Sequence, residues 1–362
     1  MKYIVCLSNE AWSSSPGRTQ QLIARLKDVQ VLYFSPADSW RDRRFREKGR
    51  SVKPNITTYI LPPLYLSMDE RYGRLFQLGQ QKLARFIAGK MAQHRFRAPL
   101  LWTSCPEHVH LLDRLDYDGV VYDCDRIWDD LPPTWEGTLA SNADVVFVAS
   151  QGLADRLSPC SGNIALVPNG APYPLFSKAV RPPRDGAAEQ ASPLLGWAGT
   201  IHRDLDLSPV WYAARRHPEW QFLLLGRREH NPLVKKLIRL PNITFLPPCP
   251  QMELPAYLAQ CQVLLNLLRE GDVDGDVVPP RMYEYLSTGR PIVSMLWPDQ
   301  VEPFPDVVYG AHSEAEFTTL CEHALEELPA LVTHRRMAHG AAAAWSVRAG
   351  QVSRILVTAG LL

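Results

Sequence analysis

Short runs of apolar, β-branched and aromatic residues recur along the chain, separated by longer stretches whose apolar residues are spaced as on one face of a helix. In the first half these runs are Tyr3 to Leu7, Val29 to Phe34, Thr57 to Leu61, Leu100 to Thr103, Val120 to Tyr122, Val145 to Ala149 and Ile164 to Val167. A second series occupies Leu194 to Ala198, Phe222 to Leu225, Ile243 to Leu246, Val263 to Leu267 and Ile292 to Met295. Strands alternating with helices predict parallel sheets covered on both faces. Residues 174–193, with Pro174, Pro182, Pro183 and Pro193 among small polar residues, show no periodicity and read as a linker. The expected division is an N-terminal domain over 1–173, that linker, a C-terminal domain over 194–340 and a terminal helix over 341–362 with the reach to cross back to the N-terminal domain. Open α/β sheets bind ligands beyond the carboxyl ends of their strands, so two in series predict a central cleft.

Length and composition agree with two cores. The 362 residues exceed one ordinary core, and 46% hydrophobic with 21% charged side chains excludes intrinsic disorder. The 39 basic and 38 acidic residues leave no bulk charge for gripping nucleic acid. No apolar run approaches the roughly 20 residues that span a bilayer, and Met1-Lys2-Tyr3 leads straight into a strand without a signal-peptide pattern, so a cytoplasmic protein is expected. The seven cysteines are scattered and form no CxxC pair, which points to reduced thiols rather than a disulfide framework or a zinc site; no metal is expected.

Charge is uneven within the first half. Residues 41–100 carry 14 Lys/Arg against 4 acids, a balance of +10, and residues 101–176 reverse it to −8. Leu75, Leu78, Leu83, Phe86, Ile87 and Met91 interleave with Lys82, Arg85 and Lys90 at helical spacing. That pattern fits a helix lying on an anionic membrane or meeting an anionic acceptor, and equally a surface helix packed on its own sheet.

The stretch GDVDGDVVPPRMYEYLSTGRPIVS, Gly271 to Ser294, is the most informative in the chain. A Pro-Pro entry, a helix ended by Gly289 and a buried strand would place Glu284 and Arg281 at the cleft. There a carboxylate can accept from both hydroxyls of a ribose and a guanidinium can neutralise a diphosphate. The same spacing also allows Glu284 to cap the helix and Arg281 to be solvated.

Pro279 to Val293 resembles the donor-nucleotide signature of GT-B glycosyltransferases, especially family 4 and the related capsule and teichuronic-acid polysaccharide enzymes. Trp12 with Arg18 to Leu22, Tyr122 to Cys124 with Trp128, Asn142 to Ser150, Val167 to Gly170, Gly196 to Thr200 with Leu207, and Trp345 to Arg348 resemble further segments of that family in its order. The resemblance implies an α/β GT-B fold of two doubly wound Rossmann-like domains facing a central cleft. It implies a nucleotide-diphosphate sugar held by Glu284 at the ribose and Arg281 at the phosphates, with Gly199, Thr200, Arg203, Arg227 and Tyr283 around them. Asp276 takes the place of a Glu that contacts the transferred sugar in many relatives. His202 and Arg228 follow strands where backbone N–H groups favour anions.

Asp272-x-Asp274-x-Asp276 begins like a calcium loop, but Val277 stands where glycine is required and Tyr283 where the closing acid belongs. A metal-binding D-x-D of another transferase fold is disfavoured by the two-domain strand rhythm. For a base that deprotonates an acceptor hydroxyl, the acidic run DCDRIWDD offers Asp125 and Asp123 first, then Asp129 and Asp130, with Glu107, His108 and His110 behind them. Trp12, Arg18 and Trp128 are the acceptor-side candidates, the tryptophans for stacking on a sugar face. The loop Ser8 to Gly17 lacks G-x-G-x-x-G, and neither a P-loop nor G-x-S-x-G occurs, which removes dehydrogenase, ATPase and serine-hydrolase readings. The expectation is therefore a metal-independent sugar transferase with no cofactor beyond its nucleotide-diphosphate sugar. Its acceptor would be a glycan or lipid-linked glycan in polysaccharide biosynthesis, met at the inner face of a membrane. A sugar-nucleotide epimerase of the same fold and a non-catalytic glycan or nucleotide-sugar binder are the alternatives.

Overall fold

A computed structural model of the chain describes residues 2–64, 73–179, 192–203, 205–267, 276–295, 303–327 and 330–362. They gather into two compact units, residues 1–168 with 348–362, and residues 169–347.

In the first unit β1 (Lys2–Leu7), β2 (Val29–Ser35), β3 (Arg50–Lys53), β4 (Ile56–Ile60), β5 (Leu100–Thr103), β6 (Gly119–Cys124), β7 (Val145–Val148) and β8 (Ile164–Leu166) make one sheet. Its order is β3-β4-β2-β1-β5-β6-β7-β8. Neighbours run parallel apart from the antiparallel β3–β4 pair at one edge. The sequence pattern missed β3, because Arg50-Ser51-Val52-Lys53 buries no face and shows no alternation. Such a charged strand suits a sheet edge, where Lys and Arg discourage further pairing.

The helix Gly73–Gln93 buries Phe76, Leu83, Ile87 and Met91 within the unit, while Lys82 and Arg85 are exposed. The apolar stripe that could have met a membrane is thus largely core. Leu75 and Leu78, 51% and 60% exposed, are the residues of that stripe left outside. Among the described residues no helix is long and apolar enough to cross a membrane. Several motif residues have plain structural reasons: Asp144 accepts the Val120 N–H at 2.7 Å, and Ser150 caps the helix Gln151–Leu157 by accepting from Leu153 N–H.

The second unit contains β9 (Leu194–Ala198), β10 (Gln221–Leu225), β11 (Ile243–Leu246), β12 (Val263–Leu267), β13 (Ile292–Met295) and β14 (Tyr309–Ala311). All pairs are parallel, in the order β11-β10-β9-β12-β13-β14. This is the doubly wound order, and it reverses direction between β9 and β12, where such sheets open a crevice. β14, three residues long, gave no signal in the sequence.

Residues 174–179, read above as the start of a linker, fold with the second unit: Phe176 and Ala179 are buried, and Asn169 donates to the Val278 carbonyl at 3.1 Å. Residues 180–191 of that stretch lie outside the described residues. Arg290, 3% exposed, ties the segment down by donating to Ala179 O at 3.2 Å, Ala259 O at 2.5 Å and Cys261 O. A second buried cation, Arg336, donates to Val307 O at 2.7 Å and pairs with Glu327 at 2.6 Å. The helix Trp345–Thr358 begins in the second unit and from Arg348 onward belongs to the first.

Because the buried Arg290 satisfies three backbone carbonyls at once, Arg290→Ala is expected to destabilise the second unit by about 2–4 kcal/mol. Urea unfolding followed by circular dichroism checks this; a midpoint within error of wild type would contradict it.

Candidate functional site

At the order reversal of the second sheet, β9 ends in Ala198-Gly199-Thr200, and its loop runs beside the one after β10. Gly199 N–H donates to Leu225 O at 2.9 Å, Ile201 N–H to Arg227 O at 2.8 Å and Glu229 N–H to Ile201 O at 2.8 Å. Gly226 has φ 145°, and a Cβ there would lie 1.7 Å from Gly199 O, so the approach demands glycine. Asn231, 7% exposed, then holds the loop by donating to His202 O and Leu205 O, each at 2.9 Å. Sequence reasoning missed Asn231, an isolated amide whose partners come only from folding.

The helix Pro280–Thr288 enters through extended Pro279 and stops at Gly289, whose left-handed φ of 70° is the usual glycine terminator. Arg281, Glu284 and Tyr285 share one face at i, i+3 and i+4. Tyr285 Oη accepts the Ala198 N–H at 2.9 Å and so joins this helix to the end of β9. The Arg281 guanidinium lies 5.0 Å over the Trp197 ring, and a Cβ on Gly199 would come within 3.2 Å of Arg281 Nη1. That nitrogen is buried and has no hydrogen-bond partner among the described residues. A cationic N–H donor in this state is prepared for an anion.

Glu284 is 8% exposed and accepts from Gln251 Nε2 at 2.7 Å. Burial pushes its pKa up to about 7, while the Gln251 hydrogen bond and the Arg281 charge pull the other way. The structure therefore brings together Gly199, Arg281 and Glu284, with Thr200 half-buried in the adjoining loop. It does not add Tyr283, which lies on another face of the helix, packs edge-on to Phe304 at 5.7 Å and is core. Arg203 and Arg227 are exposed, and Arg227 is engaged with Glu229 at 2.7 Å. Arg228 stacks over Phe245 at 5.4 Å. Asp276 is half-buried four positions before Pro280, and Asp272 and Asp274 lie outside the described residues.

In the first unit the expected roles of two residues change. Asp123 (0% exposed) accepts from Arg18 Nε (4% exposed) at 2.8 Å, which makes them an internal ion pair rather than groups presented to an acceptor. Burial raises the Asp123 pKa, with Arg18 opposing. Asp125 is half-buried in the loop after β6 and accepts from Arg126 at 2.9 and 3.2 Å. Arg126 also comes within 3.6 Å of Glu10 and lies 5.5 Å over the Trp128 ring, so Glu10, Asp125, Arg126 and Trp128 form one cluster. Glu10, not singled out by the sequence, has its pKa raised by burial and by Asp125. Trp12 is half-buried, edge-on to Tyr33 at 5.1 Å.

Residues 209–351 match a family model described as glycosyl transferase-like. TuaH of Bacillus subtilis (strain 168), named for glycosyl transfer in teichuronic acid biosynthesis, is 24% identical over 333 residues, 84% of this chain and 82% of that protein. The solved structure of sucrose-phosphate synthase from Thermosynechococcus elongatus superposes with a TM-score of 0.73 at 16% identity over 99% of this chain and 100% of that one. An α,α-trehalose-phosphate synthase (UDP-forming) from Burkholderia vietnamiensis gives 0.73 at 13% identity over 98% and 96%. The chain is a glycosyltransferase of GT-B fold.

For this transferase the raised Glu284 pKa has a defined sign. The folded state keeps a proton that the unfolded chain releases, so Glu284 makes stability fall as pH rises from the ordinary carboxyl range to about 7, with no further change above it. Glu284→Gln is expected to flatten that decline, leaving the variant about 1–3 kcal/mol more stable than it would otherwise be near pH 8. Thermal melts at pH 5 and pH 8 check this, and parallel slopes for variant and wild type would refute it.

Proposed function

We propose that the second unit binds a nucleotide-diphosphate sugar, with Arg281 on the diphosphate and Glu284 on the ribose hydroxyls. The first unit then receives a glycan or lipid-linked glycan whose hydroxyl attacks the anomeric carbon. The observation that carries this reading is the buried, unpartnered Arg281 Nη1 beside Gly199, one helical turn from an almost buried carboxyl. As the glycosidic bond to the diphosphate breaks, negative charge grows on the leaving oxygen, and a pre-positioned guanidinium stabilises it without reorganisation. An ionised Glu284 can accept from two adjacent hydroxyls and fix the nucleotide while the sugar reacts. Asp125 and Glu10, the carboxylates gathered around Arg126, are the groups we assign to the acceptor proton, with Trp128 beside them for the sugar face. Asp276 is assigned to the transferred sugar on family resemblance.

The polymer-building role is supported by the likeness to TuaH rather than by the synthases of soluble disaccharide phosphates. Association with an anionic membrane face belongs to the same reading and is supported by exposed Leu75 and Leu78 on a helix carrying Lys82 and Arg85. Flotation with anionic liposomes tests it.

Incubation with a panel of nucleotide sugars, with and without membrane extract, tests the transfer. Nucleotide release that requires extract is the expected outcome; a changed sugar with its nucleotide retained would mean epimerisation, and tight binding without turnover would mean a binding protein. Arg281→Ala is expected to weaken nucleotide binding by about 10- to 100-fold, and Asp125→Ala to spare binding while lowering turnover. Nucleotide affinity should rise between pH 6 and pH 8 as Glu284 ionises, and unchanged affinity in Arg281→Ala would remove the donor-site assignment.

A further inference from the structure

The first unit contains a pocket of about 370 Å³, within the range of small-ligand sites. Its walls are apolar and aromatic, with Trp40, Leu61, Pro62, Pro63, Leu83 and Trp128 among them. The charged groups among its described lining residues are of one sign. Among the described residues, Glu107 and Asp130 are the ionisable acids of the lining, His108 is its imidazole, and no Lys or Arg lines it. His108 is held neutral: burial lowers its pKa to about 4, and Thr103 Oγ1 lies 2.6 Å from Nδ1.

Two further lining groups are poised for a ligand. Gln80 is 4% exposed, and its side-chain amide has no hydrogen-bond partner among the described residues. Trp128 Nε1 is buried and likewise unpartnered among them. Cations do touch the lining from outside it, but each is occupied. Arg41 stacks on Trp40 at 4.5 Å, Lys82 donates to Pro63 O at 3.2 Å, and Arg126 is paired with Asp125.

We propose that this pocket seats an uncharged glycosyl unit, the accepting end of the glycan, and discriminates against phosphorylated and uronic sugars. The inference rests on the reading that the first unit receives the acceptor, and it adds the chemical class of that acceptor. A pyranose offers an apolar face to the tryptophans and several hydroxyls, each both donor and acceptor. The Gln80 amide can give and take, Trp128 Nε1 can give, and Asp130 can take. Burial and the Asp130 charge raise the Glu107 pKa to about 7, so near neutrality that carboxyl also exists in a form that donates. A phosphate or carboxylate in the same place would face Asp130 and Glu107 with no guanidinium or ammonium among the described lining residues to answer it, a like-charge cost. One solved relative, an α,α-trehalose-phosphate synthase from Burkholderia xenovorans, is in complex with glucose-6-phosphate, so the discrimination proposed here separates this chain from that protein.

The test titrates the full chain by calorimetry with methyl glucoside, methyl galactoside and methyl mannoside, each against the corresponding free sugar 6-phosphate. At least one glycoside is expected to bind, with its phosphate about tenfold weaker or more. Asp130→Lys, on an exposed residue, should erase or invert that preference, and Gln80→Leu should weaken the glycoside about tenfold while leaving the melting temperature within a few degrees. Equal or tighter phosphate binding, no glycoside binding up to tens of millimolar, or glycoside binding indifferent to both variants would overturn the proposal. Nucleotide binding by the same samples separates the outcomes: if it persists and still responds to Arg281→Ala, the donor reading stands although the acceptor class fails.

Discussion

One donor group with no acceptor sets the terms for the second unit. Leaving a buried guanidinium N–H unpaired costs about 1–3 kcal/mol, and a chain selected for stability alone would have capped Arg281 or replaced it. Here the side chain is held by other means. The Trp197 ring lies beneath it, Tyr285 locks its helix to the end of β9, and the paired loops at Gly199 and Gly226 leave no side chain to cover it. Each of these contacts constrains position without supplying the missing acceptor. The neighbouring glycines matter for the same reason, because a Cβ at Gly199 would press on the nitrogen that is being kept available.

Charge in the first unit follows a different logic. The acidic surplus of residues 101–176 looks in sequence like a solvated or catalytic face, and although most of it is exposed, part of it holds the fold together. Asp123 answers Arg18, Asp144 accepts from Val120 N–H, and Glu136, 5% exposed, gathers Tyr122 at 2.7 Å and Arg156 at 2.9 Å. Buried pairs of this kind contribute little net stability over an apolar core but are costly to break, so they fix geometry. Of the remaining acids, Asp125 gathers with Glu10 around Arg126, Glu107 and Asp130 line the first unit's pocket, and Asp113, Asp116, Asp118, Asp129 and Asp155 are exposed on the surface.

The strand series was legible because buried parallel strands must be apolar throughout, and twelve of the runs match β1, β2 and β4 to β13 within a residue or two. Polar edge β3 and the three-residue β14 carry no such imprint. The site was legible where helix geometry carries it: Arg281 and Glu284 stand one turn apart, so a motif in sequence becomes a face in space. The same periodicity explains the exchange of Tyr283 for Tyr285, since a shift of two positions turns a side chain about 200° around the axis. What could not be read were partners distant in sequence, such as Gln251 on Glu284 or Asn231 on the loop carbonyls, and the pocket around Gln80, which no single segment encloses.

Glu284 and Glu107 share a physical situation that argues against a purely structural role for either. Both have pKa values raised to about 7, chiefly by burial. A carboxyl kept from water in this way lowers folding stability whenever it ionises, and a glutamine or leucine of similar size would remove that cost. Salt bridges elsewhere in the chain show that the fold can compensate acids it needs for architecture, as Arg336 does for Glu327 and Arg156 for Glu136. Glu284 has only an amide hydrogen bond and a guanidinium at a distance, and Glu107 has another acid as its electrostatic neighbour. Under-compensated acids in an otherwise well-paired structure are what the two proposals require, a carboxyl whose partners come with a ligand: ribose hydroxyls in the one, the hydroxyls of an uncharged sugar in the other.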